Sequence, residues 1–368
     1  MLTLALLALT GCRSLSPEEL ARVEALGPRL GQLLLVGFTG TADDAHADLE
    51  RLVCGARVGG ILIFGRNIVD APQLTQLTGW MTARARACGG VPLLVAVDAE
   101  GGRVMRLRPT AGWTSTPSHQ DLGDGNDLAV TELEARRMGG MLRATGINWN
   151  LAPVVDVGVN PANPVIVGAG RAFGADPARV TAHARAFIDG MHAAGLLTAL
   201  KHFPGHGSSF ADSHLGFVDV TETAEPETEL APYRALLAAG EVDAVMTAHV
   251  FNRRLDSRYP ATLSTPTIEG LLRGQLGFRG VVVSDDLRMG AIEQHYGIAE
   301  AAVRTLGAGV DVLLVADDRL PDGRSATSLA LDAIGQALRE GRLGVARVEA
   351  ARARVAAFKA RLPASDPR

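Results

Sequence analysis

Aromatic side chains are scarce: 3 Trp, 3 Tyr and 10 Phe make up 4% of the 368 residues. So few rings argue against an extended stacking platform. A formal net charge of −4, with no basic patch, argues against a nucleic-acid partner. The longest apolar run, Met1 to Gly11, falls well short of the roughly 20 residues that a membrane-spanning helix needs. No strand candidate is followed by G-x-G-x-x-G, no 20–50-residue period recurs, and no low-complexity linker divides the chain. What is there, 47% hydrophobic and 21% charged, is an ordinary globular composition with enough chain for a large core.

Short apolar runs recur between polar punctuation. Strand-like segments fall at Leu33–Phe38, Gly60–Phe64, Leu93–Val97, Asn148–Val155, Thr198–His202, Ala244–His249, Gly280–Ser284 and Val310–Val315. Helical periodicity fills most gaps, at Asp43–Val53, Pro72–Ala87, Asp127–Thr145, Asp176–Ala194, Glu227–Ala239, Thr265–Leu276 and Ile298–Gly307. Ser16 before Pro17 and Asp176 before Pro177 are helix starts, because the side chain caps free N–H groups and proline has none to satisfy. Ser325–Glu340 and Val348–Leu362 read as closing helices. Eight strands with crossovers predict an α/β fold, a single (β/α)8 TIM-type barrel, with room for irregular first strands. It spans 16–363, with 1–15 as leader and short linker and 364–368 as a tail. A doubly wound open sheet is the alternative, disfavoured because polar residues end most strands instead of a few.

Barrel enzymes place chemistry at the carboxyl ends of their strands. Here the third strand gives Asp98 and Glu100, then Arg103 and Arg106. The fourth gives Asp156, with Arg171 in its following loop. The fifth ends in Lys201-His202 and runs through Pro204-Gly205-His206 to Asp212-Ser213-His214, a segment with three of the nine histidines. The sixth gives His249, the seventh Ser284-Asp285-Asp286. Such a ring suits a small polyhydroxylated ligand, since Asp accepts from hydroxyls while Arg, Lys and His donate.

Asp212 and His214 stand one residue apart on an extended loop, so both side chains can face one way. A carboxylate on one imidazole nitrogen fixes the tautomer and leaves the other to give and take a proton. A surface turn that happens to hold a histidine is the plainer reading of that pair alone. Asp286 points to the other side from Asp285 and reads as a cap or ion-pair residue. Glu100 reads as the anchor of the Gly101-Gly102 turn or of Arg103. His202, His206, Asp212 and His214 are metal-ligand types, but their spacing fits no zinc pattern and Pro204-Gly205 breaks any helical face. No metal or cofactor is expected.

Cys54 and Cys88 each end a helical pattern. Successive helices of a βα repeat lie side by side, so the two can meet. A Cys54–Cys88 disulfide and two buried free thiols both stay open.

Four motifs carry a resemblance: VDAEGGRVMR from Val97, GAGRAFG from Gly168, KHFPGHGSSFADSH from Lys201 and VVVSDDLRMG from Val281. Together they resemble glycoside hydrolase family 3, and within it the β-N-acetylhexosaminidases of peptidoglycan-recycling type. The likeness runs from about Leu33 to Val315. It implies a retaining exo-β-N-acetylglucosaminidase releasing terminal N-acetylglucosamine from peptidoglycan fragments or related glycans. Asp285 would be the nucleophile, His214 the general acid/base and Asp212 its dyad partner. Asp98, Arg106, Arg171, Lys201 and His202 match the sugar-binding positions. Ala99 departs from the pattern, where Gln is usual. The alternatives are a phosphorylase using the same site and a non-catalytic glycan-binding lipoprotein.

Leu9-Thr10-Gly11-Cys12, closing the first apolar run, resembles the lipobox of bacterial lipoproteins, where the cysteine is lipidated. It implies a lipid anchor at Cys12 and a place in the cell envelope, tethered to a membrane without spanning it. No Lys or Arg precedes the run, and without a working leader the chain would be cytoplasmic.

Overall fold

The computed structural model describes residues 15–89 and 91–363; Cys12 and its apolar run lie outside them. Eight parallel strands form the barrel wall: β1 (Leu34–Gly37), β2 (Gly60–Ile63), β3 (Leu94–Val97), β4 (Trp149–Asn150), β5 (Leu197–Thr198 with Leu200–Phe203), β6 (Ala244–Thr247), β7 (Val281–Asp286) and β8 (Val312–Val315). The apolar sequences of β1, β2, β3 and β8 follow from burial on both faces, by the barrel interior and by the helices outside. In β1, β2 and β3 every residue is buried.

Strand β1 pairs with β8 through Leu34 and Leu313, and with β2 through Leu35 and Gly60. Strand β5 changes partner at Ala199: Leu197 and Thr198 lie on β4, while Leu200 and Phe203 lie on β6. That exchange closes the ring. Helices Asp43–Glu50, Ala71–Gly89, Leu128–Ala144, Pro177–Ala193, Ala231–Ala239, Pro266–Gln275, Gly290–Ala308 and Ala326–Arg339 follow the strands in turn. The fold is the single (β/α)8 barrel expected. Ser16 and Glu19 form a reciprocal capping box, and the Asp176 side chain accepts from the Ala178 N–H.

Four local features differ from the sequence expectation. The first strands are regular; irregularity falls on β4, which is ladder-paired only at Trp149–Asn150, then touches β5 again by a single bridge from Val154 to Lys201. Pro153, with no N–H to give, interrupts the ladder between them. Strand β7 runs two residues past the expected end, so Asp285 and Asp286 belong to the strand itself. The helix expected at Ile298 starts at Gly290 and is broken at Gly297, whose φ of 64° suits glycine. The turns of Pro266–Gln275 are wide, as the Leu276 N–H reaching Leu271 O shows.

The last helix, Val345–Lys359, lies across the end of the barrel away from the strand C-termini. Phe358 packs edge-on to the buried Trp149 at 5.0 Å, Lys359 Nζ donates to Gln32 at 2.8 Å, and Arg354 meets Asp311 at 3.1 Å. Those partners all sit at or before strand starts, so the floor is sealed and the opposite end is left for the site. The Cα atoms of Cys54 and Cys88 are 5.3 Å apart, within disulfide range.

Candidate active site

Polar side chains at the strand ends form two connected groups. The first is a buried floor. Lys201, at 2% exposure, reaches Asp98 at 2.9 Å and Glu100 at 2.7 Å. Arg171 grips Glu100 with two bonds of 2.8 and 2.9 Å, and Arg106 reaches the other oxygen of Asp98 at 3.3 Å. Burial opposes ionisation of Asp98, but Lys201 and Arg106 outweigh it and hold the carboxyl below its usual range. Glu100 lies further below, where Arg171 and Lys201 overcome a large burial penalty. Both cations are held protonated by the same pairs against burial.

His202 continues the floor. Arg171 Nη2 donates to His202 Nε2 at 3.2 Å, so the imidazole proton sits on Nδ1 and is donated to Asp156 at 2.6 Å. The other Asp156 oxygen accepts the His206 N–H at 2.8 Å. Asp156 is fully buried; desolvation raises its pKa, but His202 and His206 bring it below normal. The Lys201–His202 and Phe203–Pro204 peptide bonds are cis.

The second group is the loop leaving β5. His206 is buried, with Nδ1 2.8 Å from Ser209 Oγ and Nε2 3.0 Å from Ser213 Oγ. Burial lowers its pKa to about 4, so it is neutral at physiological pH. Asn163 Nδ2 donates to His206 O at 2.8 Å and Asn160 Nδ2 to Ser209 O at 2.8 Å, stapling the loop after β4 to the loop after β5. Gly207 is required here: a Cβ would stand 1.8 Å from Val157 O.

Beyond Ser213 the chain turns outward. Asp212 Oδ1 accepts from the His214 backbone N–H at 2.9 Å and from His214 Nδ1 at 2.6 Å. Desolvation works against the Asp212 charge, but those two bonds hold its pKa below normal. His214 is 57% exposed at the side chain, with Nδ1 taken by Asp212. The loop rests on the start of helix Gly290–Ala308, where the Gly290 N–H donates to His214 O at 3.1 Å. A short parallel pair, Val218–Asp219 with Val250–Phe251, ties its far end to the loop after β6.

Asp285 stands half-buried at the end of β7, with Oδ1 accepting the Asp286 N–H at 2.8 Å. Burial raises its pKa, but His249, His202 and His214 together bring it down to about 2. Asp285 is therefore a carboxylate ringed by imidazoles. His249 is buried and oriented from both sides, by Thr262 Oγ1 and by Asp286 O, each at 2.8 Å. Asp286 faces away and accepts the N–H groups of Arg288 and Ala316, the capping role expected of it. Its burial, helped by Asp285, lifts its carboxyl to about 6.

The site thus brings Asp98, Arg106, Arg171, Lys201 and His202 into one network, and places Asp212, His214 and Asp285 around its mouth. Glu100 corrects a sequence expectation. It binds neither the glycine turn nor Arg103, which reaches Gly168 O instead; it is the buried counter-ion of Arg171 and Lys201. Its Asp-Ala-Glu context signals a strand end but not partners 71 and 101 residues away. Ser213, Asn160 and Asn163 were outside the expected site, and only their nearness to its motifs pointed to them.

The family model for the glycosyl hydrolase family 3 N-terminal domain matches residues 25–358. The beta-hexosaminidase LpqI of Mycobacterium tuberculosis is 40% identical over 344 residues, covering 91% of this chain and 83% of that protein. A beta-hexosaminidase of Xylella fastidiosa is 41% identical over 297 residues, 78% of this chain and 84% of its own. Among solved structures, a family 3 β-N-acetylglucosaminidase of Paenibacillus sp. superposes with a TM-score of 0.85 at 39% identity; the match covers 93% of this chain and 64% of that one. The β-N-acetylhexosaminidase of Beutenbergia cavernae gives a TM-score of 0.80 at 35% identity, over 91% of this chain and 98% of that one. With its whole barrel and all four motif blocks inside the matched span, the chain belongs to glycosyl hydrolase family 3, a family of glycoside hydrolases.

Proposed function

We propose that this chain is a retaining exo-β-N-acetylglucosaminidase, a β-hexosaminidase like the relatives it matches. The observation that carries this reading is an ionised Asp285, depressed to about 2, beside a histidine whose Nδ1 is fixed by Asp212. Retaining hydrolysis needs a carboxylate beneath the anomeric carbon and a proton donor beside the leaving oxygen.

In the first step an Asp285 oxygen attacks the anomeric carbon as the glycosidic bond breaks, and His214 Nε2 protonates the departing oxygen. A covalent glycosyl-aspartate results. In the second, neutral His214 takes a proton from water as that water attacks the anomeric carbon and releases Asp285. Asp212 keeps the Nδ1 proton in place and steadies the imidazolium. Histidine serves both steps near neutrality without the deep burial a glutamic acid would need. Asp98, Lys201, Arg171, Arg106 and His202 hold the sugar hydroxyls. Their mutual bonds pre-orient them before the sugar arrives.

The substrate is the terminal N-acetylglucosamine of peptidoglycan fragments or related glycans. The lipobox-like Cys12 supports a lipid anchor and a cell-envelope location, and the Cys54–Cys88 pair agrees with an oxidising compartment. The test is hydrolysis of an aryl β-N-acetylglucosaminide beside the aryl β-glucoside, by wild type and Asp285→Ala, with the first-formed anomer read by proton NMR. Turnover of the acetamido sugar to the β-anomer, lost in the variant, is expected. Turnover of the glucoside alone removes the sugar assignment, and α-anomer first removes retention. Stimulation by phosphate with sugar 1-phosphate as product makes the enzyme a phosphorylase. Silence of folded protein on both sugars leaves only a binding role.

A further inference from the structure

We propose that Phe210, Leu215 and Phe217 form an apolar lip that receives the leaving group of the substrate, so that the enzyme favours aglycones presenting an apolar face. The inference rests on His214 as the proton donor.

Three observations converge. These side chains are 68%, 79% and 50% exposed, and Phe210 and Phe217 are the only exposed phenylalanines among the described residues. Large apolar groups left in the open along one short segment mark a contact surface. All three lie on the stretch that carries His214, on either side of it in the chain. Finally, this stretch is held by specific bonds: Gly290 N–H to His214 O at 3.1 Å, Ala291 N–H to Ser213 O at 3.2 Å, and Gln294 Nε2 to Leu215 O at 3.4 Å. The Phe217 ring also packs on Phe251 at 5.3 Å and on His295 at 6.0 Å. These bonds and ring contacts seat the loop against the start of helix Gly290–Ala308.

Chemistry supplies the occupant. A general acid must reach the glycosidic oxygen, so the atoms beyond that oxygen lie beside the loop that bears the acid. The sugar side of the bond meets a charged floor; the leaving-group side meets hydrocarbon. An aryl ring or the C–H face of a pyranose fits that surface, by the same apolar contact.

The test compares wild type with a Phe210→Ser/Leu215→Ser double variant on three substrates. They are 4-nitrophenyl β-N-acetylglucosaminide, N,N′-diacetylchitobiose and β-N-acetylglucosaminyl fluoride, the last with no aglycone to contact. A rise in KM of about five- to tenfold on one or both of the first two is expected, with kcat/KM on the fluoride within about twofold of wild type. Loss on the aryl glycoside alone identifies an aryl-type partner, and loss on both extends the lip to a pyranose. The Leu215→Met variant, which keeps the hydrocarbon, should behave as wild type. No change on any substrate, or an equal fall on the fluoride, overturns the lip while leaving the catalytic reading intact. Wild type that cleaves none of the three overturns both.

Discussion

Ser213 Oγ lies 3.0 Å from Nε2 of the buried His206, so the middle residue of Asp212-Ser213-His214 points inward while its neighbours point out. His206 in turn gives its backbone N–H to Asp156, which also holds His202. The charged floor and the proposed proton donor are thus linked through one buried carboxylate. Ser213→Ala removes the link and leaves the charged groups in place. A buried hydrogen bond is worth about 1 kcal/mol, so kcat on a poor leaving group such as an alkyl glycoside should fall about fivefold. The 4-nitrophenyl glycoside, which needs little protonation, should lose less than about twofold. Equal losses on the two substrates would show that Ser213 supports the fold and not the placement of His214.

Among the described residues, Glu100 is the only carboxylate that bonds both Arg171 and Lys201, and it has no exposure at all. Replacing it by glutamine keeps the shape and removes the charge, leaving two buried cations with Asp98 alone. Breaking a buried pair from one side costs about 3–5 kcal/mol. The urea midpoint of Glu100→Gln should drop accordingly, with an unchanged slope. A change below about 1 kcal/mol would mean that water enters the floor and screens it.

These partners show where reading a sequence stops. The barrel was legible because most of its parallel strands carry their burial as an apolar run, and β1 to β3 appear with every residue inside. Asp212 and His214 were legible because their bond spans only two residues, as was the opposite facing of Asp285 and Asp286 on one strand. Glu100 was misread because its partners lie far along the chain, brought near only by closure of the barrel. Pro153 shortened β4 where apolar residues alone promised a full strand. Nothing in the sequence marks Glu229, at a helix start beside Glu225 and Glu227, as buried, yet it is 3% exposed.

Different measurements report on the two proposed catalytic groups. Asp285 must be ionised to attack; since His249, His202 and His214 overcome its burial and hold it at about 2, its protonation should not reduce kcat/KM until the pH nears that value. Asp212→Asn removes the carboxylate that bonds His214 Nδ1, so kcat on an alkyl glycoside should fall about tenfold, with a smaller loss on the 4-nitrophenyl glycoside, which needs little protonation. Initial rates between pH 3 and 7 read the first group, and the two substrates at pH 7 read the second. An acid limb near 4 in folded protein would contradict the depressed nucleophile, and equal losses on the two substrates in Asp212→Asn would detach the dyad from proton transfer.

Glu229 sets a pH dependence of stability beneath the same loop. Its carboxyl accepts the Ser208 N–H at 3.2 Å and the Glu225 N–H at 2.9 Å, and Gly205 packs directly on it. Burial raises its pKa from 4.5 to about 7; nearby Asp156 adds to the rise, and the two N–H bonds oppose it. The folded state therefore keeps a proton that the unfolded chain releases above 4.5. The stabilisation from that proton is complete below the unfolded value, shrinks as pH rises through the window, and is gone above about 7. Glu229→Gln stays neutral throughout; it keeps an acceptor for Ser208 and loses the one for Glu225. At pH 5 the variant should be equal to or slightly less stable than wild type. By pH 8 it should have gained about 2–3 kcal/mol relative to wild type, read from urea midpoints. Parallel losses in the two proteins between pH 5 and 8 would assign the dependence to other groups.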